Sequence, residues 1–149
     1  MEELVEKSKI DASVCASDWK QAVEKAGSLL VKSGDIEEGY IDQMIDSVME
    51  LGPYMVIAKG FALAHAAPCK EVKNTSVSLI NLKQGVNFGS LNDPVKVVMC
   101  LACKDKQSHI EKLQKIALRL MEPGMIDALA ECKDKEELYQ TINVGKEDV

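Results

Sequence analysis

Two histidines and one spaced pair of cysteines are the residues through which this chain could do chemistry. His65 lies in the stretch GPYMVIAKGFALAHAAP, residues 52–68, between Ala64 and Ala66-Ala67, and His109 lies in Ser108-His109-Ile110-Glu111. A neutral imidazole near pH 7 is a nucleophile, a general base or a metal ligand. Small neighbours leave its ring open to a large partner, but the same ring among alanines also fits a core histidine bonded to a carbonyl. The residues alone leave both readings open. Cys100-Leu-Ala-Cys103 has the spacing of half a zinc site or of a redox motif, yet it falls in an apolar run and has no second pair. The five cysteines (Cys15, Cys69, Cys100, Cys103, Cys132) are odd in number and scattered, which points to reduced thiols rather than a disulfide framework. A metal site made of both histidines with a cysteine or carboxylate has no other support in the sequence.

The elements that must position these groups follow from periodicity. Residues 54–58 are rich in β-branched and aromatic side chains after Gly52-Pro53 and read as a buried strand, which Lys59-Gly60 ends. Residues 61–68 are too short for a helix and too alanine-rich for a good strand, so they read as a loop exposing His65. Upstream, Trp19, Ala22, Val23, Ala26, Leu29 and Leu30 recur at helical spacing within residues 17–33, with Ser17 or Asp18 as N-cap. Tyr40, Ile41, Met44, Ile45, Val48 and Met49 repeat the pattern over residues 37–51. Downstream, residues 75–82 alternate as a strand, and residues 85–88 read as a second short strand, a hairpin partner. VKVVMCLAC, residues 95–103, is nearly continuous apolar sequence and reads as the interior strand. Ser108 to Glu111 forms a capping-box pattern that opens a helix with Ile110, Leu113, Ile116, Ala117 and Leu120 on its buried face. A short segment at 125–130 and a helical turn or two from Asp134 follow, and the tail from Asn143 is expected to fray. Irregular alternation of helices and strands predicts an α/β fold, a three-layer sandwich with a small mixed sheet.

At 149 residues, 46% hydrophobic and 28% charged, the chain suits one compact domain with an aliphatic core. No run approaches the roughly 18 apolar residues of a membrane span, and the charged N-terminus is unlike a signal peptide, so a cytoplasmic location is expected. Net charge is −6, which argues against nucleic acid as the main partner. That charge is uneven: residues 1–51 carry 5 basic and 12 acidic groups, residues 52–119 carry 10 and 4, and residues 120–149 carry 3 and 8. The basic middle holds both histidines, a field that would welcome a phosphoryl group.

Residues 52–68 resemble the GPYxVIAPGIALPHARP-like segment of the enzyme IIA components of bacterial sugar phosphotransferase systems, mannitol/fructose class, in their ascorbate-type members. Val86-Asn87-Phe88-Gly89, Asn92-Asp93-Pro94-Val95 and the run from Lys104 to Ile110 resemble that family's VNFG, NDPV and D-x-x-S-H-I segments. The resemblance implies a single enzyme IIA domain over residues 1–149 with an α/β sandwich fold. It also implies that His65 accepts a phosphoryl group from the histidine-containing phosphocarrier protein and passes it to a cysteine of enzyme IIB, with His109 assisting. Enzyme IIB in turn would serve the membrane permease, enzyme IIC, in sugar uptake, with ascorbate the sugar of the most similar members. No cofactor and no metal are implied. The chain has no CxxGxxxS-like phosphate loop, so enzyme IIB must be separate. It departs from the pattern at Lys59-Gly60, Ala64 and Ala67, where members have Pro-Gly, Pro and Arg. Lys59 or Lys70 could replace the lost arginine only as point charges, and the departures also fit a regulatory relative that is not coupled to transport.

Overall fold

The structure, a computed structural model, describes residues 3–144. A five-stranded mixed sheet runs in the order β1-β4-β5-β3-β2, with β1 at Ile10–Val14, β2 at Val56–Ala58, β3 at Phe61–Ala64, β4 at Ser76–Val86 and β5 at Val95–Ala102. β5 is central, as its composition predicts. It pairs antiparallel with β4 and parallel with β3, which brings the carboxyl ends of β3 and β5 side by side.

Both faces of β5 are covered, so the strand alternates between two cores. Val98, Cys100 and Ala102 point to one side, with Ala22, Val23, Ala26 and Leu30 of α1 (Trp19–Lys32) and Tyr40, Met44 and Val48 of α2 (Glu38–Leu51). Val97, Met99 and Leu101 point to the other, with Ile116 of α3 (Lys106–Leu120), Met125 and Leu129 of α4 (Met125–Glu131), and Leu138 and Ile142 of α5 (Lys135–Val144). Each fully buried aliphatic side chain contributes roughly 1.5–3 kcal/mol. This is the expected three-layer α/β sandwich. Asp18 caps α1, accepting the Gln21 N–H at 2.9 Å. Gly52 ends α2 at φ +86°, where other residues are strained, while its N–H reaches the Val48 carbonyl.

Several expectations need correction. Residues 61–64 are a strand, not loop, because Ala62 and Ala64 face the helices α1 and α2, where small side chains fit, while Phe61 and Leu63 fill the opposite core. Residues 54 and 55 form a turn before β2 rather than strand. β4 is one strand rather than a strand and a hairpin partner. Its register against β5 shifts between Asn81 and Val86, and Gly85 lies against Pro94, where a Cβ would sit 3.0 Å from the proline ring. Met49 is 64% exposed, off the buried stripe. Asp105, not Ser108, caps α3, so that helix begins at Lys106. β1 was not foreseen, because its sequence IDASV is polar and Ser13 takes φ 53°. The expected fraying from Asn143 fails at Asn143 itself. That residue is fully buried in α5, its Oδ1 accepting the N–H groups of Leu4 and Val5 at 2.6 and 2.9 Å. The rest of that tail, residues 145–149, lies outside the described residues.

Candidate functional site

His65 is the first residue past β3, at the carboxyl end of the parallel pair β3–β5, where open α/β sheets hold ligands. The sheet fixes the chain up to Ala64, and Leu63 also donates its N–H to the Met55 carbonyl at 2.8 Å. The imidazole is half-buried rather than fully exposed. Its Nδ1 lies 2.7 Å from the Leu63 carbonyl oxygen, which can only accept, so Nδ1 carries the proton and donates. That tautomer leaves the Nε2 lone pair free. Burial pushes the ring's pKa below its usual value, the Leu63 carbonyl opposes this, and the His109 ring adds to the lowering. At neutral pH the ring is neutral, with one nitrogen left available.

Two tyrosines hold the backbone that follows. The Tyr54 hydroxyl donates to the His65 carbonyl at 2.6 Å, and its ring meets the imidazole edge-on with centroids 5.2 Å apart. Tyr40, fully buried on α2, accepts the Ala66 N–H at 2.9 Å, and its own proton can go to the Leu101 carbonyl at 3.2 Å or the Ala66 carbonyl at 3.0 Å. Ala64 and Ala66 are buried, while Ala67 is exposed.

α3 brings the second histidine. Asp105 accepts the Ser108 N–H at 2.8 Å, and this bond leads those that hold its carboxyl below the usual range. Thr75 ties this helix start to β4: its Oγ1 meets Ser108 Oγ at 2.8 Å and accepts the Lys104 N–H at 2.9 Å. His109 lies at the end of the first turn, and its ring centroid is 6.0 Å from that of His65. Its Nδ1 is buried with no hydrogen-bond partner among the described residues. A folded protein tolerates such an atom where a ligand supplies the missing partner. Two imidazoles and a helix N-terminus thus converge at one end of the sheet, an arrangement suited to an anionic group held against a neutral nucleophile.

The chain matches, over residues 3–144, the family described as "Phosphoenolpyruvate-dependent sugar phosphotransferase system, EIIA 2". It belongs to that family. Members are phosphotransferase components, named as enzyme IIA. The chain is 32% identical over 138 residues to the mannitol-specific cryptic phosphotransferase enzyme IIA component of Escherichia coli, covering 93% of this chain and 94% of that one. The solution structure of an E. coli protein of that description superposes with a TM-score of 0.88 at 31% identity, covering 97% and 100% of the two chains. The ascorbate-specific enzyme IIA component of E. coli is 32% identical over 142 residues, covering 94% and 92%. The complex of mannitol enzyme IIA with phosphorylated enzyme IIB from E. coli shares the fold, with a TM-score of 0.80 at 23% identity over 93% and 96% of the chains.

This enzyme IIA family member has no arginine at its site. Its one arginine, Arg119, lies ten residues along α3 from His109, about 15 Å away, and is bound to Glu122 at 2.9 Å. Lys59 does not reach the site either. It stands in the β2–β3 turn, at the opposite end of β3 from His65, whereas Lys70 is exposed on the His65 side. Cys100 and Cys103 are buried, and burial pushes their thiols up to about 12 and about 11. They are packing residues, Cys100 within β5 and Cys103 just past its end, one residue beyond the strand although the apolar run 95–103 predicts it inside. Among the described residues no group of three or more His, Cys, Asp or Glu is placed to hold a metal ion, and no helix is long and apolar enough to cross a membrane. The carbonyl of Leu63 and the hydroxyls of Tyr40, Tyr54 and Thr75 escaped the sequence reading. Tyr54 had a signal in its place within the 52–68 segment, whereas Tyr40 was indistinguishable from an apolar stripe residue.

Proposed function

We propose that His65 is the phosphoryl acceptor of this chain and that His109 assists it. The observation that carries the reading is the Nδ1–H···O bond from His65 to Leu63, which leaves Nε2 alone able to attack. In the first transfer the Nε2 lone pair forms a bond to phosphorus as the bond from phosphorus to the donor histidine breaks, and that donor ring leaves with its electron pair. Nδ1 keeps its proton on Leu63 throughout. In the second transfer a thiolate attacks phosphorus and the electron pair returns to Nε2. The donor is the histidine-containing phosphocarrier protein and the acceptor a cysteine of a separate enzyme IIB, which serves the permease enzyme IIC. A protein of this fold is known in complex with phosphorylated enzyme IIB, which supports that acceptor. The ascorbate-specific relatives make a sugar acid the first cargo to test. On this reading the protein works in the cytoplasm as a single enzyme IIA domain.

The test is labelling by phosphorylated phosphocarrier protein. A phosphate that is acid-labile and base-stable is expected on the wild type and absent from a folded His65→Ala variant. Label that persists in the variant, on His109 or a cysteine, refutes the assignment. Ala67, in the family's arginine position, favours a second reading as a regulatory domain outside transport. Acceptance from the phosphocarrier without onward transfer to any enzyme IIB would select it.

A further inference from the structure

One peptide unit, His65–Ala66, is gripped from both sides. Its oxygen accepts the Tyr54 hydroxyl at 2.6 Å, and its N–H donates to the Tyr40 hydroxyl at 2.9 Å. The two tyrosines come from different places: Tyr40 from the first turn of α2, fully buried, and Tyr54 from the turn after that helix, half-buried. Tyr40 also reaches the Leu101 carbonyl on β5, so the peptide is referenced to the central strand as well as to the helix layer. On the other side of His65, Leu63 and Ala64 are fixed by their pairing with Met99 and Cys100.

This matters because His65 sits where the ladder stops. A residue just past a strand end has free φ and ψ, and its Nδ1–H could exchange the Leu63 carbonyl for water. With residue 64 held by the sheet and the following peptide held by two hydroxyls, the Cα of His65 is fixed between two anchored units. The Tyr54 ring adds an edge-on contact with the imidazole itself. Besides this peptide, the Tyr40 hydroxyl reaches the Leu101 carbonyl and the Tyr54 hydroxyl interacts with the Ser47 side chain, so both hydroxyls are spent on holding backbone and helix rather than on filling the core. A phenylalanine stripe would fill the same volume.

We propose that Tyr40 and Tyr54 are positioning residues that lock the His65–Ala66 peptide, and through it hold the imidazole in the tautomer and orientation that present Nε2 for phosphoryl transfer. The proposal rests on His65 being the acceptor, and its test separates the two. Ring-nitrogen NMR of the unphosphorylated, 15N-labelled protein reads the His65 tautomer without any transfer reaction. Single-turnover acceptance from the phosphorylated phosphocarrier reads the rate. The variants are Tyr40→Phe, Tyr54→Phe and the double substitution.

The wild type is expected to show protonated Nδ1 and unprotonated Nε2. Each single variant should populate the opposite tautomer and accept the phosphoryl group roughly tenfold more slowly. Because both hydroxyls hold the same peptide, the double variant should be slower than either single one but by less than the product of their effects. Wild-type tautomer and wild-type rate in both single variants overturn the proposal, even when their melting temperatures fall, because that is what a purely structural role gives. If Tyr40→Phe does not fold, Tyr54→Phe, at a half-buried position, decides by the same two readouts. A wild type that takes up no label at His65 refutes the acceptor assignment, and the tautomer spectra of the variants still decide the lock.

Discussion

Asp35 offers a perturbation whose size follows from the structure. The residue is 8% exposed, and its carboxylate receives Ser33 Oγ at 2.7 Å, Lys9 Nζ at 2.9 Å and Asn74 Nδ2 at 3.1 Å. Burial alone would push its pKa up, but the Ser33, Lys9, Ser76 and Asn74 side chains together outweigh burial and hold it at about 2, against an ordinary 3.8. That difference corresponds to about 2 kcal/mol of folding stability. The sign follows from the depression: the contribution is complete above the unfolded-state value near 3.8 and is lost as pH falls through about 2. Asp35→Asn keeps the volume and removes the charge. At pH 7 it is expected to lower stability by about 2 kcal/mol and the melting temperature by about 4–8 °C. Between pH 4 and pH 2 its stability should fall less steeply than that of the wild type. Urea unfolding followed by circular dichroism at a series of pH values measures both. A variant as stable as wild type at pH 7, or one with an unchanged acid slope, refutes the reasoning. The residue also bears on the site, because the Asp35 carbonyl accepts the N–H groups of Lys73 and Asn74, and the next residue, Thr75, braces the start of α3.

Three further predictions concern the transfer itself. Because burial lowers the His65 pKa, acceptance should decline, as pH falls, at a lower pH than for an ordinary imidazole near 6.5; a rate already falling above pH 7 contradicts this. His109→Ala should still be labelled at His65 but transfer to enzyme IIB roughly ten- to a hundredfold more slowly, the loss of one charge-assisted bond of about 1.5–3 kcal/mol. His109→Gln should recover part of that rate, and wild-type rates in both variants would return His109 to an ordinary helix residue. Ala67→Arg, at an exposed position on the loop, should speed acceptance and alter its salt dependence, and an unchanged or slower rate across a salt series refutes the arginine's place.

The sheet's centre and both amphipathic helices before it were legible because each is written in strongly apolar sequence; the helix carrying His109 was found, but of its expected buried face only Ile116 is buried, while Ile110 and Ala117 are exposed. β1 and β3 were not legible. IDASV owes its strand state to pairing with Leu79, Ile80 and Leu82 of β4, a tertiary effect that local composition does not announce. FALA reads as ambiguous until the helices above it show why alanines are wanted. At the site, residue type and spacing pointed to both histidines, and the structure brings their rings to 6.0 Å. The exposure was misjudged, since small flanking residues suggested an open ring while Tyr54 in fact covers one edge. Hydrogen bonds to backbone, such as those of Leu63 and Tyr40, depend on contacts across 2 and 26 positions in the chain, and no periodicity encodes them.

On the proposed reading, the site prepares its acceptor by burial and geometry more than by charge. Half-burial keeps His65 neutral, and the Leu63 carbonyl assigns its proton, so both requirements for attack are met before a donor arrives. What the site supplies to the phosphoryl group afterwards is modest. A helix N-terminus is worth roughly 0.3–1 kcal/mol to an anion at the surface, and Arg119, the one planar fork in the chain, is committed to Glu122 at the far end of α3. On the proposed reading that economy has a use. A carrier must release what it accepts, and strong clamping of the phosphorylated ground state would deepen the intermediate without lowering the barrier to leaving it. Interactions that act only during transfer are the ones that help, and His109, whose buried Nδ1 has no hydrogen-bond partner among the described residues, is placed to make such an interaction. An arginine at position 67 would then trade faster acceptance for slower release, so the two half-reactions of Ala67→Arg should move in opposite directions.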